Sequence, residues 1–406
     1  MICKACSKES IKFLMSFDKN PISHHFKEYK KKDLKEKFIN IKFYQCQKCG
    51  LLQLSKTFRT EFLKSKNIII RQKEPEDHLD RIVKQISELP GIEKNVQIVG
   101  LSYKDLSVLK RFNKIGFLRT RIIDFRKNNG IRKNPDFEIL DQFINPRNLG
   151  KFSQKFGKAD IVISRHFLEH THSIKDFING TKVLLKGSKL GYIFFEVPDS
   201  ERSLKAFDYP MIWEQHKVYF TNYTLNATLN IFNFKKIFSS IAKYKYEDCL
   251  LYIGELNDIK NTKNKTSKNK LKKEINTAQK FFSRFKIFKN KIFVFFKNLK
   301  KKNINTALYG SGHNGVVFVN LFKIKRFIDL VLDDNRKFQG LFLPGSDLRV
   351  KNPKNINKKI DYCFLSANFG NEKKIIKKNK NLLSKNGKFV SISFHNSKGI
   401  KKLLRR

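Results

Sequence analysis

Between residues 75 and 255, short apolar runs alternate with stretches of helical period, and no other feature of the chain limits its fold so sharply. The runs are "NVQIVG", "TRIIDF", "ADIVIS", "LGYIFFEV" and "DCLLYIGEL"; the helical stretches include "HLDRIVKQISEL" and "SIKDFINGTKVLL". Runs this apolar suit strands covered on both faces, and strand–helix alternation gives a mostly parallel sheet wrapped by helices. The pattern restarts near residue 304 with "TALYG", "FIDLVLD", "YCFLSA" and "KFVSISF". The expected fold class is therefore α/β, with two successive Rossmann-like units.

A smaller unit precedes them. Cys3 and Cys6 in "CKAC" and Cys46 and Cys49 in "CQKC" form two close pairs of soft ligands, the arrangement in which tetrahedral zinc takes thiolates. The alternative is four free thiols. All four positions are cysteine, so the expected Zn2+ site is closed and structural, because a catalytic site keeps a position open. A polar, Lys-rich insert lies between the pairs. From Asp258 to Ser267 the chain is almost wholly polar and reads as a linker. Leu271, Ile275, Ala278, Phe282, Phe285, Ile292, Phe296 and Leu299 then recur at helical spacing. That long basic helix reads as packing between domains in preference to a helix on a membrane surface. The expected divisions are 1–70, 71–256, 257–302 for linker and helix, and 303–406.

Lys and Arg number 85 against 36 Asp and Glu, a formal charge of +49, which raises nucleic acid as a partner. The lysines are spread through every region together with Ile, Asn and Phe, so they form no stripe, and no specific nucleic-acid partner is expected. The cysteine usage fits a reducing compartment. No apolar run reaches the 18 or so residues of a membrane span, and "MICKACSKES" has no apolar signal core. A cytoplasmic location is the expectation.

Several groups could carry chemistry. Gly100, Ser102 and Asp105 lie in a strand-to-helix turn that has one glycine where nucleotide-type cofactors usually meet several. Asp124 closes the next strand, where a carboxylate accepts ribose hydroxyls or caps a turn. "ADIVISRHFLEHTH" places Arg165, His166, Glu169, His170 and His172 past another strand, at the carboxyl edge where open sheets bind ligands. "FFEVPDS" ends a strand in Glu196 and Asp199. "PMIWEQHKVYFTNYTL" sets Glu214, His216 and Tyr219 among aromatics, and a His beside a carboxylate is suited to general-base work; a surface loop packing its aromatics is the bland reading. In "ALYGSGHNGVVF", Gly310, Gly312 and Gly315 complete a GxGxxG around His313, with Asp333 ending the following strand. Such a turn binds a dinucleotide or nucleotide-sugar, or serves tight strand–helix packing.

Together "CKAC", "CQKCGLLQL", "ADIVISRHFLEH", "FFEVPD", "WEQHKVYFT", "ALYGSGHNG" and "VLDDNRKFQGLFLPGSDL" resemble the sugar C-methyltransferases. That family has an N-terminal zinc-binding domain, a central S-adenosylmethionine (SAM) methyltransferase domain and a C-terminal Rossmann-like domain. The resemblance covers nearly the whole chain. It implies methyl transfer from SAM to a carbon beside the ketone of a nucleotide-activated keto-deoxysugar, with His216 as base and Glu214 or Tyr219 orienting it or steadying the enolate. It places SAM near Gly100, Ser102, Asp105, Asp124, His166 and His170. Glu196, Asp199, Gly310, Gly312, His313, Gly315 and Asp333 fall on the substrate side. The chain departs from the family in three places. Trp213 and Gln215 stand where a Tyr and a Glu are common, "KNIIIRQKEP" has no tyrosine, and Gln97 with one glycine replaces an acid before a Gly-rich turn. Two alternatives remain open: a member that binds a sugar nucleotide without methyl transfer, and a zinc-bearing RNA-binding protein or RNA methyltransferase.

Overall fold

The structure is a computed structural model and describes residues 1–28, 36–55, 76–125, 136–244, 247–257, 267–396 and 399–404. The segment "KNIIIRQKEP" and the expected boundary at 70 lie outside the described residues. Strands β1 (Ile11–Pro21), β2 (Phe38–Cys46) and β3 (Leu52–Leu54) pair antiparallel in that order.

The central sheet contains β4 (Ile98–Gly100), β5 (Thr120–Ile122), β6 (Ile161–Arg165) and β7 (Tyr192–Pro198), all parallel. Then β8 (Val218–Tyr219) leaves this sheet and pairs antiparallel with β3, so the cysteine-bearing sheet has the order β1-β2-β3-β8. β9 (Phe234–Ala242) and β10 (Cys249–Leu256) return as an antiparallel hairpin and complete the order β5-β4-β6-β7-β10-β9.

Successive strand residues face opposite layers. Val162, Ile193, Phe195 and Leu250 pack under the helices Ile174–Leu185 and Asn222–Ile231. Ile161, Ile163, Phe194 and Leu251 pack under Leu79–Ser87 and Leu106–Lys114. This two-sided burial is why the strands read as unbroken apolar runs.

The helix Lys268–Lys301 carries the third core. Phe281, Phe282, Phe285, Ile292 and Phe296 are buried with Phe17 and Phe43 from β1 and β2, with Tyr209, Ile212 and Tyr219, and with Phe318, Phe322 and Phe364 of the last unit. Its apolar stripe packs against protein along most of its length, while Ile287 and Val294 remain exposed. The last unit is a parallel sheet of β11 (Thr306–Tyr309), β12 (Leu330–Leu332), β13 (Val350–Lys351), β14 (Ile360–Leu365) and β15 (Leu383–Ser391) in the order β13-β12-β11-β14-β15. No described helix is long and apolar enough to cross a membrane.

The cysteine-bearing unit, the "HKVYFT" segment, the long helix and the last unit thus share one hydrophobic core. The sequence marked successive units with this helix packing between domains. The core joins them because the long helix presents aromatic residues to both of its neighbours.

Candidate active site

The four cysteine sulfurs lie within 4.8 Å of one another, with Cys3 Sγ 3.5 Å from Cys49 Sγ and Cys6 Sγ 3.6 Å from Cys46 Sγ. Thiolates held about 2.3 Å from a tetrahedral zinc are about 3.8 Å apart, so these residues fit the ion. Gly50, at φ +79°, returns its N–H to the Cys46 carbonyl and lets the chain enter β3 two residues later. β3 then pairs Leu52 with Tyr219 and Gln53 with Val218, immediately beyond His216. Gln53 is buried; its Oε1 accepts the Lys4 N–H at 2.8 Å and its Nε2 donates to the Ile2 carbonyl at 3.2 Å. The zinc knuckles therefore fix the strand against which the His216 segment is held. Removing zinc with a chelator is expected to raise amide exchange at Leu54 and Tyr219 at least about tenfold, because separation of β3 from β8 breaks their ladder bonds. Unchanged protection would show that β8 is held without the metal.

The His216 ring lies at the meeting of all three units. It packs 4.7 Å from Trp213, 4.8 Å from His170 and 5.9 Å from Tyr219. Trp213 in turn packs 4.7 Å from His313, which the C-terminal glycine turn supplies. Ser23, from the cysteine-bearing unit, donates both its N–H and its hydroxyl to Glu214 Oε1, at 2.8 and 2.6 Å. Its Oγ lies 3.0 Å from His313 Nδ1. Burial, followed by the neighbouring His170 and His313, pushes the His216 pKa well below the ordinary histidine value. The imidazole is therefore neutral at pH 7. His170 Nδ1 is 3.1 Å from the buried Glu138 carboxylate, which can only accept, so that nitrogen carries the proton. Burial opposes ionisation of Glu138, yet the His170 hydrogen bond holds its pKa below the usual value.

Lys217 follows His216 and is wholly buried; its Nζ donates to the Glu214 carbonyl at 3.1 Å. Burial lowers its pKa to about 8, against the attraction of Glu138 and Glu214. The Tyr219 hydroxyl accepts from the Trp213 N–H at 2.8 Å and donates to the Trp213 carbonyl at 2.9 Å. Both of its roles serve to shape the Trp213–Tyr219 loop.

A second buried group lies at the strand ends. Arg165 Nε donates to Glu196 Oε2 at 2.6 Å, and its Nη1 reaches Ser107 Oγ, the Lys104 carbonyl and Glu76 at 2.9, 3.1 and 3.2 Å. His166 Nε2 and His78 Nε2 also meet Glu196, at 2.9 and 3.2 Å. Burial alone would raise the Glu196 pKa, but Arg165, His166 and His78 hold it well below the carboxylate range. Asp105 closes the expected cofactor turn from inside. Its Oδ2 accepts the Ser102 N–H at 2.8 Å, and its Oδ1 accepts the Arg165 N–H at 2.8 Å. Burial pushes Asp105 up to about 7, against those donors. A Cβ at Gly100 would stand 2.8 Å from Asp105 Cβ, so the glycine is needed for this closure.

The remaining expected residues are placed apart from one another. Asp124 is exposed just beyond β5, beside β4 in the sheet. Asp199 caps the helix Ser200–Ala206, accepting the Glu201 N–H at 3.0 Å. Asp333 Oδ2 accepts the Ser311 N–H and hydroxyl at 2.7 and 2.8 Å, within the glycine turn. Gly310 has φ +105°, and a Cβ at Gly315 would lie 2.5 Å from the Gly310 carbonyl, whereas Gly312 faces open space. Sequence reasoning missed Ser23, Glu138 and His78. "ISHHF" offered a weak signal for the first, and the other two had none.

Residues 255–392 match the family model described as "C-methyltransferase C-terminal domain", and residues 3–63 match the one described as "Putative zinc binding domain". The chain therefore carries a C-methyltransferase C-terminal domain behind a zinc-binding domain. No curated protein matches it significantly.

Part of the chain is also similar to solved methyltransferases. One is the 1,6-didemethyltoxoflavin-N1-methyltransferase of Burkholderia thailandensis, with bound 1,6-didemethyltoxoflavin and S-adenosylhomocysteine. It is 11% identical over 47% of this chain and 94% of that one, with a TM-score of 0.29. Another is the magnesium protoporphyrin IX methyltransferase of Synechocystis PCC 6803 with bound S-adenosylhomocysteine, 12% identical over 45% and 83%, TM-score 0.29. An N-methyltransferase of Bradyrhizobium japonicum WM9 is 10% identical over 45% and 97%, TM-score 0.26. The His216 centre draws on all three units, whereas the Asp105–Arg165–Glu196 group lies within the central sheet.

Proposed function

We propose that this protein uses SAM to methylate a carbon next to the keto group of a nucleotide-activated keto-deoxysugar, with His216 as the general base. The carrying observation is a half-buried imidazole, kept neutral by its surroundings, where the three units meet. Proton removal beside a carbonyl is within reach of such a base. His216 would take the proton from the substrate carbon, leaving an enolate to which SAM would supply the methyl group as its methyl–sulfur bond breaks and S-adenosylhomocysteine leaves. Glu138 fixes the His170 ring against His216, Tyr219 holds the Trp213–His216 loop, and the buried Lys217 lends positive charge beside the site. The exposed Asp124 and the backbone about Gly100 and Ser102 suit a ribose diol and a methionine end. When bound there, SAM supplies an electrophilic methyl group on sulfur. The sugar nucleotide reaches the centre from the side of Glu214 and the C-terminal glycine turn.

Calorimetric titration with SAM and S-adenosylhomocysteine, paired with labelled-methyl incorporation into a dTDP-4-keto-6-deoxyhexose, tests this function. Saturable heats and a carbon-bound label are expected; no saturable heat at millimolar ligand overturns it. A second reading, binding without methyl transfer, is favoured by one observation, the closure of the Gly100 turn by Asp105 and Arg165, and the same titration separates the two.

The pH dependence follows from the depressed His216 pKa. The base form is already dominant at neutral pH, so kcat is expected to stay level as pH falls through 6.5 and to drop only well below it. Half of kcat lost near 6.5 would show a base in an ordinary environment. Stability has the same sign. The fold disfavours protonated His216, so its contribution is intact above the unfolded value and is lost as pH falls below it.

A further inference from the structure

Among the described residues, two polar ring atoms beside the His216 centre are buried without a hydrogen-bond partner: Trp213 Nε1 and His313 Nε2. They belong to rings in contact, 4.7 Å apart and inclined by 40°. Buried polar atoms are rarely left unpaired, and those that are call for an explanation.

The identity of each atom fixes what it can do. An indole nitrogen only donates. The state of His313 follows from its partners. Glu214 is buried and accepts the Ser23 N–H and hydroxyl at one oxygen, so the single hydroxyl proton of Ser23 points at the carboxylate. Ser23 Oγ can then only accept from His313 Nδ1, at 3.0 Å, which places the ring proton on Nδ1 and leaves Nε2 with a bare lone pair. Burial lowers the His313 pKa to about 4, against Glu214 and the nearby carbonyls of Pro210 and Ile212, so the ring stays neutral at pH 7. Both carbonyls approach the ring closely enough to favour its charged form, but neither meets Nε2 in hydrogen-bonding geometry. Gly312, the residue before His313, faces open space in which an added Cβ meets nothing within 4 Å. Trp213 is only half-buried, so this residue borders the solvent side of the pair.

We propose that Trp213 and His313 together read one hydroxyl group of the substrate, the indole N–H donating to its oxygen and His313 Nε2 accepting its proton. A ketone can only accept and an ammonium can only donate; a hydroxyl does both. Glu214 and Ser23 are positioning residues that hold His313 in the accepting tautomer. This assignment rests on the reading of the His216 centre as a sugar site. It gives the C-terminal unit a direct role in choosing the substrate, and it separates the hydroxyl read by His313 from the keto group that must lie nearer His216.

The test is calorimetric binding to the full-length, zinc-loaded protein saturated with S-adenosylhomocysteine. The probes are a dTDP-4-keto-6-deoxyhexose and analogues lacking its ring hydroxyls one at a time. One deoxy analogue is expected to bind native protein roughly 10- to 100-fold more weakly, because its loss leaves both ring atoms unpaired again. Trp213→Phe keeps the ring and removes the donor; His313→Asn keeps a donor for Ser23 and removes Nε2. Each is expected to shrink that preference to within about twofold while S-adenosylhomocysteine affinity is unchanged. A preference that survives in both variants overturns the proposal, as does equal weakening of every sugar, which is the mark of a structural role, or a native protein that binds none of them. Methyl transfer is not part of the readout. Selective binding without turnover would therefore overturn the catalytic reading and leave the hydroxyl site standing.

Discussion

Replacing His216 by alanine is expected to lower kcat by about 10²- to 10⁴-fold, the usual contribution of a positioned general base, while leaving SAM affinity unchanged. The separation arises from geometry. His216 belongs to the Trp213–Tyr219 loop, whereas the Gly100 turn and Asp124 lie at the edge of the central sheet. The loop should survive the change, because Tyr219 holds Trp213 through two backbone hydrogen bonds and β8 remains paired with β3. Single-turnover methyl transfer and solvent-deuterium uptake at the substrate carbon check it together. If deuterium exchange continues at the native rate in the variant, another group removes the proton.

The largest effect on stability is expected from Glu196→Gln. Glu196 and Arg165 are both wholly buried, 2.6 Å apart, and His78 and His166 lean on the same carboxylate. Removing one partner of such a pair typically costs about 3–5 kcal/mol, because the other charge is left uncompensated. The glutamine keeps the shape, so the loss reports charge and not volume. The pH dependence supplies a second check. Glu196 has a folded pKa well below its unfolded value, so its contribution is present above the ordinary carboxylate range and is lost as pH falls through the folded value. The gap between native and variant urea midpoints is therefore expected to be widest near pH 7 and to narrow in acid. A loss under about 1 kcal/mol at pH 7 would mean that Arg165 reaches water or another anion when Glu196 is neutral.

Much of the fold was legible because burial on two faces writes itself into composition. β4, β6, β7 and β10 are unbroken apolar runs since both layers of helices cover them. β9 escaped notice for the opposite reason. It is an edge strand, and its Lys235 and Lys236 face solvent. β8, two residues long, has no signal of its own and exists because β3 lies beside it.

The candidate site divides in the same way. The cysteine pairs were visible because ligands a few residues apart must converge on one ion. His170 and His216 were visible as histidines beside carboxylates. Glu138 and His78 were not, since nothing nearby in sequence marks them, and Ser23 had only the weak signal of "ISHHF". Asp199 and Asp333 looked like residues awaiting a ligand, and the structure gives their carboxylates to a helix cap and to the Ser311 turn. An acidic side chain at a strand end has the same local sequence whether it meets a substrate or its own backbone.

By itself the sequence determined the α/β class, the four-sulfur cluster and the presence of a histidine among aromatics at residue 216, because each depends on neighbours a few positions away. Only the tertiary structure decided that the zinc knuckles brace the His216 strand, that Asp105 and Arg165 close the Gly100 turn, and that Glu214, Ser23 and His313 meet. The last of these contacts spans 290 residues of chain. Local propensity carries no information over that distance; the shared hydrophobic core around Lys268–Lys301 brings the three units together.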